Sequence, residues 1–150
     1  MSDDFCYLLR VRYSECDAQR VVFNGRYVDY IDVAFNEYMR VIWGDYNDIL
    51  SKGLDMQVVN VSINWKAPAH FDEVLAIKIR LNKIGNSSFS FLVDFYNQAT
   101  SQLLAHGEIV YVMVSPIEHT KMEIPKDVRD QLEKGAKGIV VDHAGSNVNG

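Results

Sequence analysis

The chain has 150 residues, 48% of them hydrophobic and 23% charged, with a net charge of −5 and a pI near 5.3. That length suits one domain with a substantial core, and the acidity argues against nucleic acid or an anionic membrane as partner, since both need a positive footprint. Cys6 and Cys16 have no metal-type spacing, no apolar run reaches the ~18 residues of a membrane helix, and the acidic start precedes no signal-length apolar run, so a soluble, reduced, cytoplasmic protein is expected.

Residues 5–13 alternate, with Phe5, Tyr7, Leu9, Val11 and Tyr13 on one face, which is the period of a strand. A polar stretch from Ser14 to Arg20 follows, then Val21-Val22-Phe23. From Tyr27 the period changes: Tyr27, Tyr30, Ile31, Ala34, Phe35, Tyr38 and Ile42 recur at three- and four-residue steps, predicting an amphipathic helix of four to five turns with Asn24 as its N-cap. A short helix over Tyr46 to Ser51, stopped by Gly53, comes next. Val59, Val61, Ile63 and Trp65 alternate with polar residues until Pro68, which ends that strand or puts it at an edge. Two further strands, centred on residues 75–81 and 89–95, flank the turn at Gly85-Asn86, and a fourth run from Leu103 to Val114 becomes apolar on both faces towards its end, as a central strand or one buried by a partner would be. Pro125 opens a short helix through Glu133, and the Gly- and Asn-rich tail is expected to be loosely ordered. The predicted organisation is one α+β domain over residues 1–134 and a tail over 135–150. An antiparallel sheet of about five strands carries the long helix, and the remaining sheet face and edge call for cover by a second copy.

Gly-x-Gly-x-x-Gly, Walker, Gly-x-Ser-x-Gly and His-Glu-x-x-His motifs are absent, and the four histidines, His70, His106, His119 and His143, are scattered. The informative acid is Asp17. It lies in a loop that leads through an apolar tripeptide into a helix N-terminus, where backbone N–H groups lack intrahelical partners and the helix dipole favours negative charge. Such amides can bind an oxyanion, and a carboxylate beside them can attack a carbonyl or activate water.

The stretch from Tyr13 through Glu15-Cys16-Asp17-Ala18-Gln19-Arg20-Val21-Val22-Phe23-Asn24-Gly25 to Tyr27, continuing Asp29-Tyr30-Ile31-Asp32, resembles the signature of the 4-hydroxybenzoyl-CoA thioesterase family, whose members have the hotdog fold. The likeness extends over residues 5 to about 120. It implies an acyl-CoA thioesterase with Asp17 as nucleophile or general base and the backbone at Asn24 and Gly25 polarising the thioester carbonyl. By the same likeness Val59 and Asn60 of a second subunit would touch substrate, Lys83, Ser87 and Ser88 would receive the CoA phosphates and pantetheine arm, and a homodimer or homotetramer would assemble the site. From the residues themselves, Phe23 and Tyr27, with Tyr30, form either an aromatic substrate pocket or part of the core. No metal and no cofactor beyond the substrate's own coenzyme A is implied. The sequence departs from the family at Arg20, where glycine is usual, and a left-handed conformation there would cost an arginine roughly 1 kcal/mol. Two other readings stand beside this one: a non-catalytic acyl-CoA binding module, which Arg20 favours, and a hotdog hydratase or dehydratase, which would pair a helix acid with a histidine, although no histidine accompanies Asp29, Asp32 and Glu37. A related thioesterase group also uses a helix acid, which makes Asp32 the fallback to Asp17.

Overall fold

The computed structural model describes residues 3–145. Strand β1 (Phe5–Arg10) runs into a single 3-10 turn at Tyr13–Glu15, then helix α1 (Arg26–Trp43) and helix α2 (Tyr46–Ser51). Strands β2 (Asp55–Trp65), β3 (Val74–Ile84), β4 (Ser88–Asn97) and β5 (Leu103–Val114) follow, then helix α3 (Lys126–Lys134) and strand β6 (Val140–Asp142). All six strands form one sheet in the order β2-β5-β4-β3-β1-β6. The doubly apolar β5 is interior, between β2 and β4, and β2 is an edge, consistent with Pro68 just beyond it.

The 3.6-residue period of α1 buries Tyr27, Tyr30, Ile31, Ala34, Phe35 and Tyr38. These meet the inner face of the sheet: Phe35 stacks on Tyr111 at 4.3 Å between ring centroids, and Tyr38 meets Phe5 and Phe91 edge-on at 5.3 and 5.2 Å. Removing an Ile or Phe side chain of this kind from water is worth about 1.5–3 kcal/mol, so this single long helix fixes the sheet's buried face.

Three expectations need correction. The sheet has six strands and is mixed, because β6 pairs parallel with β1 through Cys6–Val140, Tyr7–Val141 and Leu8–Asp142. The tail expected to be loose from residue 135 is therefore tied down as far as Ala144, with the His143 amide donating to the Leu8 carbonyl and Arg10 Nε donating to the Ala144 carbonyl; its last five residues lie outside the described ones. Finally, Gly25, not Asn24, is the N-cap, since a tight turn in which the Arg26 amide donates to the Phe23 carbonyl closes ahead of the helix.

The register gives the sheet two distinct ends. Trp65, Leu75, Asn97 and Leu103 lie at one, and Asp55, Ile84, Phe89 and Val112 at the other. Tyr27 packs on Trp65 and Phe95, whereas Trp43 packs on Phe89, so α1 begins at the first end and finishes at the second.

Candidate active site

Between β1 and α1 the chain forms a small two-stranded ribbon. Cys16 bridges Val22, the Asp17 amide donates to the Val21 carbonyl, and the Phe23 amide donates to the Glu15 carbonyl. The ribbon is anchored to the segment before β3 by the Val21–His70 bridge and by the Val22 amide donating to the Ala69 carbonyl. Both attachments put it at the end of the sheet where α1 begins. At its tip, Asp17 to Arg20 form a turn in which the Arg20 amide donates to the Asp17 carbonyl at 2.9 Å. Arg20 has φ = 66°, a left-handed conformation.

Asp17 is exposed, and its Oδ1 accepts a hydrogen bond from the Gln19 amide at 2.8 Å. It forms no ion pair among the described residues. Asp17 lines an open pocket of about 460 Å³ with Tyr13, Cys16, Ala18, Arg20 and Phe71. Burial, then the charges of Glu15 and Asp17, pushes the Cys16 thiol up, which disfavours the thiolate a cysteine nucleophile would need.

Glu15, two residues from Asp17, is the buried acid of this region at 5% exposure. Its Oε1 accepts from the Arg12 amide and from the Tyr30 hydroxyl, each at 2.8 Å, and its Oε2 accepts from Arg12 Nε at 2.8 Å. Burial opposes its charge, but the bonds from Arg12 and Tyr30 outweigh it and hold the carboxyl below its ordinary range. Burial, and after it the same contact with Glu15, drives the Tyr30 phenol far above its ordinary value. Glu15 thus ties the base of the Asp17 ribbon to the first turns of α1. Arg12-x-x-Glu15 and a tyrosine on the buried helix face were the only traces of this in the sequence.

The other residues singled out from sequence divide by location. The amides of Asn24 and Gly25 precede α1 and have no backbone acceptor among the described residues. Phe23 is 57% exposed, whereas Tyr27 is 1% exposed and enclosed by Tyr30, Trp65 and Phe95. Val59 and Asn60 are exposed on edge strand β2, where the register slips between Val58 and Asn60 and leaves Val59 as a bulge. Lys83, Ser87 and Ser88 surround the β3–β4 turn, held by the Gly85 amide on the Ser88 carbonyl and by the Met113 amide on the Ser87 carbonyl. Arg129 of α3, missed in the sequence, also grips this turn, donating to the Gly85 carbonyl at 2.9 Å. Within one chain this turn lies at the opposite end of β3 from the Asp17 pocket, roughly 33 Å away along an 11-residue strand. Among the described residues no group of three or more His, Cys, Asp or Glu side chains could hold a metal ion.

The model of the thioesterase-like superfamily matches residues 11–132, covering the Asp17 ribbon, α1 and the four antiparallel strands β2 to β5. The chain belongs to this superfamily. It is 26% identical over 124 residues to the acyl-CoA thioester hydrolase YbgC of Escherichia coli, an alignment covering 83% of this chain and 92% of that one. Its fold, a hotdog, is similar to the crystal structure of a hypothetical protein from Aquifex aeolicus, with a TM-score of 0.78, 26% identity, and coverage of 85% of this chain and 98% of that one. It also resembles the 1,4-dihydroxy-2-naphthoyl-CoA thioesterase of Synechocystis, with a TM-score of 0.77 at 21% identity over 85% of this chain and 94% of that one.

Proposed function

We infer that the protein is an acyl-CoA thioesterase that hydrolyses an acyl-CoA thioester to the free acid and CoA. The carrying observation is Asp17: an exposed carboxylate, free of any ion pair among the described residues, in an open pocket at the end of the molecule where α1 begins. In this reading the thioester carbonyl oxygen accepts from the Asn24 and Gly25 amides, whose lack of a backbone acceptor leaves them available. Asp17 then adds to the carbonyl carbon and expels the CoA thiolate, leaving an anhydride that water cleaves, or it takes a proton from the water that attacks. Both routes end in the same products, and both require an ionised Asp17. Phe23, exposed beside this site, contacts substrate directly, and Tyr27 supports it from the core.

The reading extends to a homodimer, with a homotetramer as a further assembly. Strand β2 is an 11-residue edge exposing Val58 and Val59, an open template for another strand. Two β2 edges paired about a two-fold axis run antiparallel. Each chain's Lys83, Ser87 and Ser88 would then come to the end of the assembly that holds the other chain's Asp17, resolving the separation found within one chain. Val59 and Asn60 would lie at the junction. No helix among the described residues is long and apolar enough to cross a membrane, and the same reading puts the protein in the cytoplasm, where Cys6 and Cys16 stay as free thiols.

The test is thiol release from purified protein supplied with straight-chain and aromatic acyl-CoAs, beside calorimetric titration with CoA. Turnover of at least one ester supports the reading. Binding of CoA with no turnover of any ester would overturn it in favour of a binding module.

A further inference from the structure

We propose that Arg20 is a specificity-determining residue whose guanidinium binds an oxyanion carried by the substrate, either a carboxylate on the acyl group or a phosphate of CoA. The proposal rests on the reading of Asp17 as the reacting carboxylate. Its first support is the backbone. Arg20 sits at φ = 66°, where glycine is free of strain and an L-residue with a long side chain is not. The turn itself needs only the Arg20 amide and the Asp17 carbonyl, which any residue supplies. What arginine adds at this position is its side chain. Asp72, Ser101 and His119 also have positive φ, but none of them lines the Asp17 pocket.

The second support is the state of the guanidinium. The chain has seven arginines. Arg10, Arg12, Arg26, Arg40 and Arg80 pair with carboxylates, and Arg129 holds the Gly85 carbonyl. Arg20 is the one with no side-chain partner among the described residues. It is exposed in the same pocket as Asp17, whose Oδ1 is engaged by the Gln19 amide. The pocket therefore presents one open cationic fork beside one carboxylate. The fork suits bidentate contact with a carboxylate or phosphate. Tyr13 and Phe71, edge-to-face at 6.0 Å between centroids, give the same pocket an apolar wall for the rest of the ligand.

Two ratios of kcat/KM read the proposal and separate the two sources. One compares an acyl-CoA ending in a carboxylate with the methyl-ended ester of matched length. The other compares one acyl group on CoA with the same group on phosphate-free N-acetylcysteamine. In Arg20→Gly and Arg20→Asn, both compatible with positive φ, one of these ratios falls about tenfold or more, the loss expected for a charge-assisted bond. Arg20→Lys retains part of it, and added salt lowers it in the wild type. The fall resides mainly in KM, while thermal stability stays level or rises because strain is relieved. A fall in the first ratio identifies the acyl carboxylate as the ligand, and a fall in the second identifies the CoA phosphate. If both ratios stay within twofold of wild type while Asp17→Asn abolishes turnover, the proposal is overturned and the reading of Asp17 stands. If Asp17→Asn turns over normally, the underlying reading fails with it.

Discussion

At the scale of single residues, Glu15 and Asp17 show how two neighbouring acids take opposite environments. Glu15 is buried and fully bonded, and Asp17 is exposed and lines an open pocket. The sequence made Asp17 legible because a loop acid ahead of a helix start has a chemical use. It did not reveal Glu15, whose partners lie three residues back and fifteen residues on, across a fold that had yet to form. Replacing Glu15 with Ala leaves the buried Tyr30 hydroxyl without its acceptor, a loss of about 1–3 kcal/mol. For a chain of this size a thermal melt should drop by roughly 5 °C; an unchanged melting temperature would rule out the tie. The pH dependence follows from the same contacts. Glu15 is held below its ordinary value, so its contribution is present above the ordinary carboxyl pKa and lost as pH falls through its folded one. Burial, with the nearby Asp4, pushes Tyr38 up to about 12 from an ordinary 10.0. Its contribution is therefore complete below pH 10 and lost as pH rises towards 12. Absorbance of the phenolates should show Tyr30, Tyr38 and Tyr111 ionising only as the fold opens. Ionisation of all eight tyrosines near the ordinary value with the circular dichroism unchanged would contradict this.

At the scale of elements, period and punctuation carried most of the fold. The spacing from Tyr27 to Ile42 gave α1, Tyr46–Ser51 matched α2, and the doubly apolar run gave β5 its interior place. The element that escaped was β6, because three residues in a Gly-rich tail have no period to read; partner atoms on β1 hold it. The two edges of the sheet consequently differ. β6 is short, which blunts its edge, while β2 offers 11 residues and two exposed valines. The interface is therefore expected at β2. Val58→Asp combined with Val59→Asp should convert the assembly to monomers by light scattering and cut acyl-CoA turnover about tenfold or more, since each site would lose the other chain's turn. A monomer with full activity would show that one chain holds a complete site.

At the scale of the whole molecule, the fold puts one helix start, the exposed Asp17 and Arg20, unpaired among the described residues, at a single end of the sheet. The distance along β3 explains why sequence alone could not complete the site. The Asp17 ribbon and the Lys83–Ser88 turn are both legible as motifs, yet nothing in a linear chain says that they lie at opposite ends of a strand. The central claim is that Asp17 performs the hydrolysis. Its most direct test is thiol release by the wild type and by Asp17→Asn on the best acyl-CoA, with folding checked by circular dichroism. The account predicts a folded variant with kcat lowered by about 10²–10⁴-fold, the usual contribution of such a group. A folded Asp17→Asn protein whose kcat lies within threefold of wild type would contradict it.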